Sequence, residues 1–321
     1  AVEGAIDLEE TKPGTSDGGT GLALDTALTL VDWPAGVPRS FQHLGLISSS
    51  TPPGVYPGTG HPRAVQFKAD DMECLDPGEF LNDTLIDIGA LHFQERAREA
   101  LQRDDLKVHV FGTFFYKKLT AGSQALGPGD GQTSHAERVH QSVKGWTKKV
   151  NLFEMDYVFV PIHGSAHWSL AVICHPGNTN SVSDDDGSPC ILHFDSLGGG
   201  HTTGSVTKKL RAYLNEEYKR KVKDNAITTG ICVFGSTTQF NPTSMPGKRM
   251  ACPQQMNLCD CGLFTLKNME VLLQHPPKRI EVIPDNGGRH EFHFHGYKDL
   301  AYSTDAFHRH DAAAFRMELY K

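Results

Sequence analysis

Apolar residues recur every three or four positions in one stretch near residue 90, which is the period of an amphipathic helix. The apolar residues of 84–100 follow this spacing. Asn82 and Asp83 come directly before them, and either residue is a suitable N-cap because its side chain can accept a hydrogen bond from the first helical turn. The sequence therefore predicts a helix over residues 84–100.

Three short apolar runs have the length and composition of buried strands. They are YVFVPI at 157–162, HWSLAVIC at 167–174 and CILHF at 190–194. A short Gly/Ser segment joins the first two runs, so these two strands are expected to be neighbours. Residues 108–119, which are rich in aromatic side chains, are predicted to mix strand and helix.

Three further helices are predicted towards the end of the chain. Residues 205–223 place apolar side chains on one face, whereas residues 262–274 are apolar almost all round, as in a helix buried at the centre of a domain. Residues 312–320 form the last predicted helix. Because strands and helices mix without strict alternation, the expected fold class is α+β.

The polar stretches between these elements divide the chain. Residues 1–64 are predicted to be a partly flexible lead-in, since 16 of the first 60 residues are Gly or Pro, and 7 are acidic against 2 basic. Residues 65–321 are predicted to form a single domain. Loop insertions are expected near 120–141, 176–189 and 224–250, where periodicity is weak.

Composition narrows the class of protein. The chain has 321 residues and a formal net charge of −7, which argues against a generally basic nucleic-acid-binding protein. No run of apolar residues approaches the roughly 20 needed to span a membrane. The seven cysteines are odd in number and too sparse for a disulfide scaffold, so at least one free thiol and a reducing compartment are expected.

Cys261 lies one residue before the buried helix predicted at 262–274. Unpaired backbone N–H groups and the positive end of the helix dipole stabilise a thiolate at such a position, and the thiolate is the nucleophilic form of cysteine. Gln255 lies six residues upstream, where its amide could donate to an oxyanion, and Gly262 leaves room for a substrate backbone. The alternative is a buried, inert cysteine.

A cysteine nucleophile needs a base, and the base needs a group that orients it. His167 opens one predicted strand and Asp195 closes another, so the two side chains can meet if the strands pair. The chain has 17 histidines, and His163 and His193 are rival candidates for the base.

Five short motifs follow one another along the chain. They are Phe80-Leu81-Asn82-Asp83, Val160-Pro161-Ile162 followed by His167-Trp168, Asp195-Ser196-Leu197, Pro253-Gln254-Gln255 followed by Asn257, and Asp260-Cys261-Gly262. Together they resemble the ULP/SENP family of proteases, which remove the ubiquitin-like modifier SUMO. The resemblance extends over about residues 65–275.

This resemblance implies a papain-like fold, with a mixed central sheet and the nucleophile at the N-terminus of a buried helix. It assigns the nucleophile to Cys261, the general base and acid to His167, and the orienting carboxylate to Asp195. Gln255 would line the oxyanion hole. No metal or cofactor is expected.

The resemblance also implies how the substrate is recognised. Trp168 and Phe80 would wall a slot through which only the Gly-Gly tail of SUMO passes, because any Cβ would clash. Asn82, Asp83 and Gly262 are the other expected substrate-binding residues. The alternative for the two aromatic side chains is ordinary core packing.

The expected partners are SUMO or polySUMO chains and SUMO-conjugated proteins, with no membrane and no nucleic acid. A nuclear or cytoplasmic location is expected. The Phe in the FLND motif, the segments 110–119 and 143–153 and the loop insertions resemble the branch that edits SUMO chains.

Several alternatives stay open at this point. The chain could act on another modifier of the NEDD8 type, bind SUMO as a scaffold without turnover, or transfer acyl groups. Cys259 is read as a small buried thiol, with a regulatory role as the alternative. The histidines at 290, 293 and 295 could suggest a metal site, which is not expected because no convincing further ligand lies nearby.

Overall fold

The structure is a computed structural model that describes residues 53–101, 106–125, 133–178, 187–223, 240–277, 279–285, 287, 289–295 and 309–320. Residues 1–52, which are most of the predicted lead-in, lie outside this range. The division at residue 64 therefore stays a prediction. No helix among the described residues is both long and apolar enough to cross a membrane.

The described chain contains nine strands and seven α-helices. The strands are β1 Gly54–Tyr56, β2 Val65–Phe67, β3 Val108–Val110, β4 Tyr157–Gly164, β5 His167–Cys174, β6 Cys190–Phe194, β7 Gly247–Arg249, β8 Arg279–Pro284 and β9 His290–His295. The helices are α1 Ala69–Glu73, α2 Asp83–Leu101, α3 Phe114–Ala125, α4 His135–Val143, α5 Thr203–Lys223, α6 Cys261–Gln274 and α7 Arg309–Tyr320.

A five-stranded mixed sheet in the order β3-β4-β5-β6-β7 forms the centre of the domain. The β4–β5 and β5–β6 pairs are antiparallel, whereas the two outer pairs are parallel. β1 with β2, and β8 with β9, form separate two-stranded sheets. The predicted α+β class and the predicted neighbouring strands are confirmed.

Alternation along the strands divides the core into two layers. Trp168, Leu170 and Val172 of β5 pack in the layer that contains the apolar residues of α6, whereas Ala171 and Ile173 pack in the layer with those of α5. Both faces of β5 are covered, which explains why its sequence is apolar without a break. α6 lies against α2 and β5, and it is buried on nearly all sides as predicted.

Part of the loop predicted near 120–141 is helical, so that prediction is wrong there. α3 continues to Ala125, and α4 begins after Ser134, whose hydroxyl accepts the backbone N–H of Glu137 at 3.1 Å. Val139 and Val143 of α4 are buried. This nine-residue helix, with two buried apolar residues, is too short a signal to distinguish from a polar loop.

The predicted irregular insertion near 224–250 contains β7, the fifth strand of the central sheet. Phe240 and Met245 are buried, and the Arg211 Nε donates to the carbonyl oxygen of Met245 at 2.8 Å. Residues 224–239 of this insertion lie outside the described residues, as do 179–186 of the insertion near 176–189.

Candidate active site

A tight turn places His167 at one end of the central sheet. Ser165 and Ala166 both have φ of 54°, in the left-handed region. Two successive residues of this kind make the turn type whose twist matches an antiparallel hairpin. Gly164 consequently pairs with His167, and His167 begins β5 with its side chain buried.

Asp195 reaches His167 from the end of β6. Leu170 pairs with Phe194, so the next position in this register sets Asp195 opposite Ser169, two residues from His167 and on the same face of the sheet. The His167 Nε2 lies 2.8 Å from the Asp195 Oδ1. The predicted meeting of the two side chains therefore occurs.

The Asp195 carboxylate is held in its ionised form. It is fully buried, yet it accepts hydrogen bonds from His167, from the backbone N–H of His201 at 2.7 Å and from that of Leu197 at 3.0 Å. Burial raises the pKa of this carboxyl, but the three hydrogen bonds outweigh burial and lower the pKa to about 2. A carboxylate anchored at both oxygens has little freedom to turn away from the imidazole.

His167 is set up as an imidazolium. Burial alone lowers its pKa, but hydrogen bonds with Asp195 and with the Cys261 thiol raise the pKa to about 9. Because this value lies above neutral pH, the ring carries two protons and can donate to both partners. His167 thus links the carboxylate to the cysteine.

Cys261 is the first residue of α6 and is fully buried. Asp260 is the N-cap residue, but its side chain makes no capping hydrogen bond to the helix. The backbone N–H groups of the first turn therefore keep their donor character at the end of a 14-residue helix. Cys261 therefore lies at the positive end of the helix dipole, next to the His167 imidazolium.

Gln255 is fixed by three hydrogen bonds. Its Oε1 accepts from the Ser196 hydroxyl at 2.7 Å, its Nε2 donates to the Asn257 carbonyl oxygen at 2.7 Å, and its backbone N–H donates to the Ser196 carbonyl oxygen at 3.0 Å. These contacts use one of the two amide hydrogens. The other hydrogen is available to donate to an oxyanion.

The two rival histidines are committed elsewhere. The buried His193 contacts the Ser169 hydroxyl at 3.1 Å and the Thr203 hydroxyl at 2.9 Å, and burial lowers its pKa to about 4. The His163 ring packs on Trp168 with 4.4 Å between ring centroids. Of the three candidates, His167 has the contacts of a base next to Cys261.

Residues 79–293 match the Ulp1 protease family, C-terminal catalytic domain. This chain belongs to that family. It is 35% identical over 228 residues to "Probable ubiquitin-like-specific protease 2A" of Arabidopsis thaliana, covering 70% of this chain and 27% of the relative. It is 29% identical over 297 residues to "Sentrin-specific protease 7" of Homo sapiens, covering 76% and 26%. The chain spans about a quarter of the length of these two relatives.

The fold is shared with a solved member of this group of proteases. The structure described as "Crystal structure of the de-sumoylating protease" matches with a TM-score of 0.53 and 23% sequence identity, covering 70% of this chain and 74% of that one. The predicted protease fold, with the nucleophile at the start of a buried helix in an α+β domain, is therefore confirmed.

The two aromatic residues expected to bind a Gly-Gly tail differ in exposure. Trp168 is 2% exposed, and its Nε1 donates to the carbonyl oxygen of Leu81 at 2.9 Å. Phe80, the residue before Leu81, is 44% exposed. The hydrogen bond therefore ties the FLND segment of this Ulp1-family chain to β5. The role of the pair in substrate binding stays a prediction.

Asn82, Asp83 and Gly262 have structural roles, and the N-cap among them was predicted from the sequence. The Asn82 Oδ1 accepts the backbone N–H of Leu85 at 3.0 Å and so caps α2, which Asp83 begins. A Cβ at Gly262 would lie 2.8 Å from the Cβ of Leu81. The absence of a side chain at Gly262 thus allows α6 to approach the FLND segment, and the expected role of Gly262 in admitting substrate stays a prediction.

Gly200 is a site residue that sequence reasoning missed. A Cβ at this position would overlap the His167 ring and lie 3.0 Å from the Asp195 Oδ1. The run of glycines at 198–200 was the available signal, but the sequence does not show which of them packs on His167 and Asp195. Ser196, which holds Gln255, was likewise missed.

We expect Gly200→Ala to lower kcat by about 10²-fold, since the added methyl group displaces the imidazole from Asp195 and a misplacement of about 1 Å can cost that much. Gly199→Ala is the matched control, because the described residues leave open space within 4 Å of a Cβ there. Steady-state kinetics with unchanged melting temperatures test this difference. Equal activity of the two variants would contradict the packing of Gly200 on His167.

His167, Asp195 and His201 form the one group of metal-ligating side chains, among the described residues, that lies within metal-binding distance. Their donor atoms are already in use, since the His201 Nδ1 lies 2.7 Å from the Ser169 hydroxyl and its Nε2 lies 3.2 Å from the Gly164 carbonyl oxygen. These contacts favour a protein hydrogen-bond network over a metal site.

Cys259 is 7% exposed, and burial together with the neighbouring Asp260 raises its pKa to about 12. A thiol with such a pKa is protonated at neutral pH and is a poor nucleophile. These properties agree with the reading of Cys259 as a small buried thiol. The six cysteines in the described residues are all free, and Cys232 lies outside them.

Proposed function

We propose that this chain is a cysteine protease and isopeptidase that cleaves after the C-terminal Gly-Gly of SUMO. The observation that carries the proposal is the 2.8 Å hydrogen bond between Asp195 and His167, whose pKa is also raised by the Cys261 thiol, with the Gln255 amide fixed by hydrogen bonds. Membership of the Ulp1 family supports it, and so do the names of relatives such as "Sentrin-specific protease 7". Substrates are SUMO precursors, SUMO-conjugated proteins and polySUMO chains.

The reaction begins with attack on the substrate. The Cys261 thiolate forms a bond to the carbonyl carbon of the last SUMO glycine, and the electron pair of the C=O double bond moves to oxygen. The oxyanion accepts hydrogen bonds from the Gln255 Nε2 and from a backbone N–H at the start of α6. Collapse re-forms the carbonyl and breaks the C–N bond, while His167 gives its proton to the departing lysine amine.

The second half of the reaction restores the enzyme. Neutral His167 takes a proton from water, and the resulting hydroxide attacks the thioester carbon. The C–S bond breaks, SUMO leaves as a carboxylic acid that gives its proton to the solvent, and Cys261 returns to the thiolate beside protonated His167. Asp195 keeps the imidazole in the orientation that both proton transfers require.

Trp168 and Phe80 shape the entry for the Gly-Gly tail, and Asn82, Asp83 and Gly262 line the substrate-binding segment around them. The enzyme needs no metal or cofactor, because side chains supply every proton transfer in this mechanism. It acts in the nucleus or the cytoplasm, where SUMO conjugates and free thiols coexist.

The experiment is a cleavage panel with purified chain: a SUMO precursor, a SUMO monoconjugate, a polySUMO chain and a NEDD8 precursor, each with Cys261→Ser as the control. We expect the wild type to cleave SUMO forms and the variant to cleave none. Faster cleavage of polySUMO than of the precursor supports chain editing. Cleavage of NEDD8 alone, or tight SUMO binding without turnover, would overturn the proposed function.

A further inference from the structure

Arg316 of α7 is buried, with 2% of its side chain exposed, and its guanidinium makes four hydrogen bonds. Its Nη1 donates to the carbonyl oxygens of Cys74 at 3.1 Å and Asp76 at 2.9 Å. Its Nη2 donates to the carbonyl oxygen of Glu79 at 2.9 Å and to the Asp260 Oδ1 at 2.6 Å. One guanidinium therefore joins a loop of the N-terminal half to the start of α6.

Both ends of this bridge adjoin the candidate site. Glu79 directly precedes Phe80, the exposed residue of the FLND segment, and Asp260 directly precedes Cys261. A planar guanidinium with donors in a fixed fork restricts direction as well as distance, which a flexible ammonium does not. Arg316 thus sets the position of the nucleophile relative to the segment expected to receive substrate.

Further hydrogen bonds connect Asp260 to Gln255, the expected oxyanion donor. The Asp260 Oδ2 accepts from the Asn257 Nδ2 at 2.8 Å, and the Asn257 Oδ1 accepts the backbone N–H groups of Cys259 at 3.2 Å and Asp260 at 3.0 Å. The Asn257 carbonyl oxygen in turn holds the Gln255 amide. Arg316 is therefore connected to Gln255 through Asp260 and Asn257.

Arg316 also compensates the negative charge of the Asp260 carboxylate. Asp260 is 7% exposed and adjoins the residue that must ionise to a thiolate, so an unpaired carboxylate there would oppose that ionisation. The titratable and charged described side chains around this corner include Cys74 and Glu79 after α1, His167 at the start of β5, Asp195 after β6, Cys259 and Asp260 before α6, and Arg316 on α7.

We propose that Arg316 is a positioning residue, which holds the FLND segment and the N-terminus of α6 in one fixed relation, so that α7 completes the active site. α7 lies beyond the residues 79–293 that match the Ulp1 family, so the match does not supply this role. This role of Arg316 deepens the proposed function. It depends on the proposed function only for the turnover measurement described below.

The packing of α7 does not depend on Arg316 alone. Phe315 stacks on Phe93 with 5.8 Å between ring centroids, and the Lys267 Nζ lies 5.2 Å from the Phe315 ring centroid. At the surface, the Arg96 Nη1 pairs with the Glu318 Oε1 at 3.0 Å. Arg96→Met is therefore a matched control that removes an arginine contact to α7 without touching the site.

The experiment compares Arg316→Met, Arg316→Lys and Arg96→Met in the full chain. We expect Arg316→Met to lower kcat on a SUMO conjugate by about 10-fold to 10²-fold with a smaller change in KM. Its pH profile of Cys261 alkylation by iodoacetamide should lie at higher pH than that of the wild type, because the Asp260 carboxylate is left without its cation. Arg316→Lys should restore most of the alkylation profile and less of kcat, and Arg96→Met should match the wild type.

The double variant Arg316→Met/Asp260→Asn removes both charges and carries the test if the single variant does not fold. We expect it to have the alkylation profile of the wild type, because no unpaired Asp260 charge is left next to Cys261. Its kcat should still be reduced, because the hydrogen bonds of the Arg316 guanidinium are absent. Wild-type kcat in a folded variant without the guanidinium would overturn the proposal. Alkylation needs no SUMO, so a wild type that alkylates normally but cleaves no SUMO form would reject the proposed function alone.

Discussion

Asp195→Asn is expected to lower kcat by about 10⁴-fold, the size of the loss when a triad carboxylate is replaced by an amide. Both Asp195 oxygens accept hydrogen bonds from donors: His167 and Leu197 on Oδ1, and His201 on Oδ2. An amide in either orientation directs an N–H group at one of these donors. The imidazole therefore loses its acceptor or the backbone around it shifts, and His167 is no longer held towards Cys261.

The pH profile distinguishes this loss from a general disturbance of the fold. The pKa of His167 is about 9, so wild-type activity should fall as pH rises through about 9, where the imidazolium that protonates the leaving amine disappears. Because Asp195 is one of the groups that raise this pKa, the residual activity of Asp195→Asn should fall at a lower pH. Measurements of kcat/KM from pH 5 to 10 test both points.

Asp285→Asn is the matched control, since that carboxylate accepts backbone N–H groups of Gly287 and Arg289 in the β8–β9 hairpin, a separate two-stranded sheet. It should leave kcat unchanged. A folded Asp195→Asn protein within 10-fold of wild-type kcat would show that the carboxylate does not orient the base.

Gln255→Ala is expected to lower kcat by about 10²-fold to 10³-fold, as for loss of one oxyanion donor, with little change in KM. The Gln255 Nε2 donates one hydrogen to the Asn257 carbonyl oxygen and keeps the other for the charge that develops during attack. The donor is used in the transition state and not by the resting thiol. Alkylation of Cys261 should therefore continue at the wild-type rate.

Met256→Ala is the control for the same loop, because that side chain is 72% exposed. Pre-steady-state acylation rates compare the two variants directly. If Gln255→Ala acylates as fast as Met256→Ala, then the Gln255 amide does not stabilise the oxyanion, and a backbone N–H at the start of α6 must do so alone.

The main elements could be predicted because their signals are local. β4, β5 and β6 are continuous apolar runs, and α6 is apolar all round because it packs between a sheet and α2. β7 has no such signal, since Gly247–Arg249 is polar and becomes a strand through its parallel pairing with β6. α4 was missed for a related reason, because its short apolar face is buried only by packing against α3 and α5.

The residues of the candidate site likewise divide into those with a local sequence signal and those without one. Cys261, His167 and Asp195 could be proposed because each occupies the end of an element that the sequence reveals. Gly200 and Arg316 could not, because their importance lies in contacts with residues distant in sequence: Arg316 meets Asp260 across 56 positions. The sequence predicts which residues carry the chemistry, whereas the residues that hold them in place depend on the tertiary fold.

The most direct test of the proposed function is the site of covalent capture. Purified chain is mixed under reducing conditions with SUMO that carries a vinyl sulfone in place of its C-terminal carboxylate, and the adduct is located by peptide mass spectrometry. The proposed mechanism predicts one SUMO per chain, attached to the Cys261 sulfur and absent in Cys261→Ser. An adduct on Cys259 or another cysteine, or no adduct with a folded chain, would contradict it.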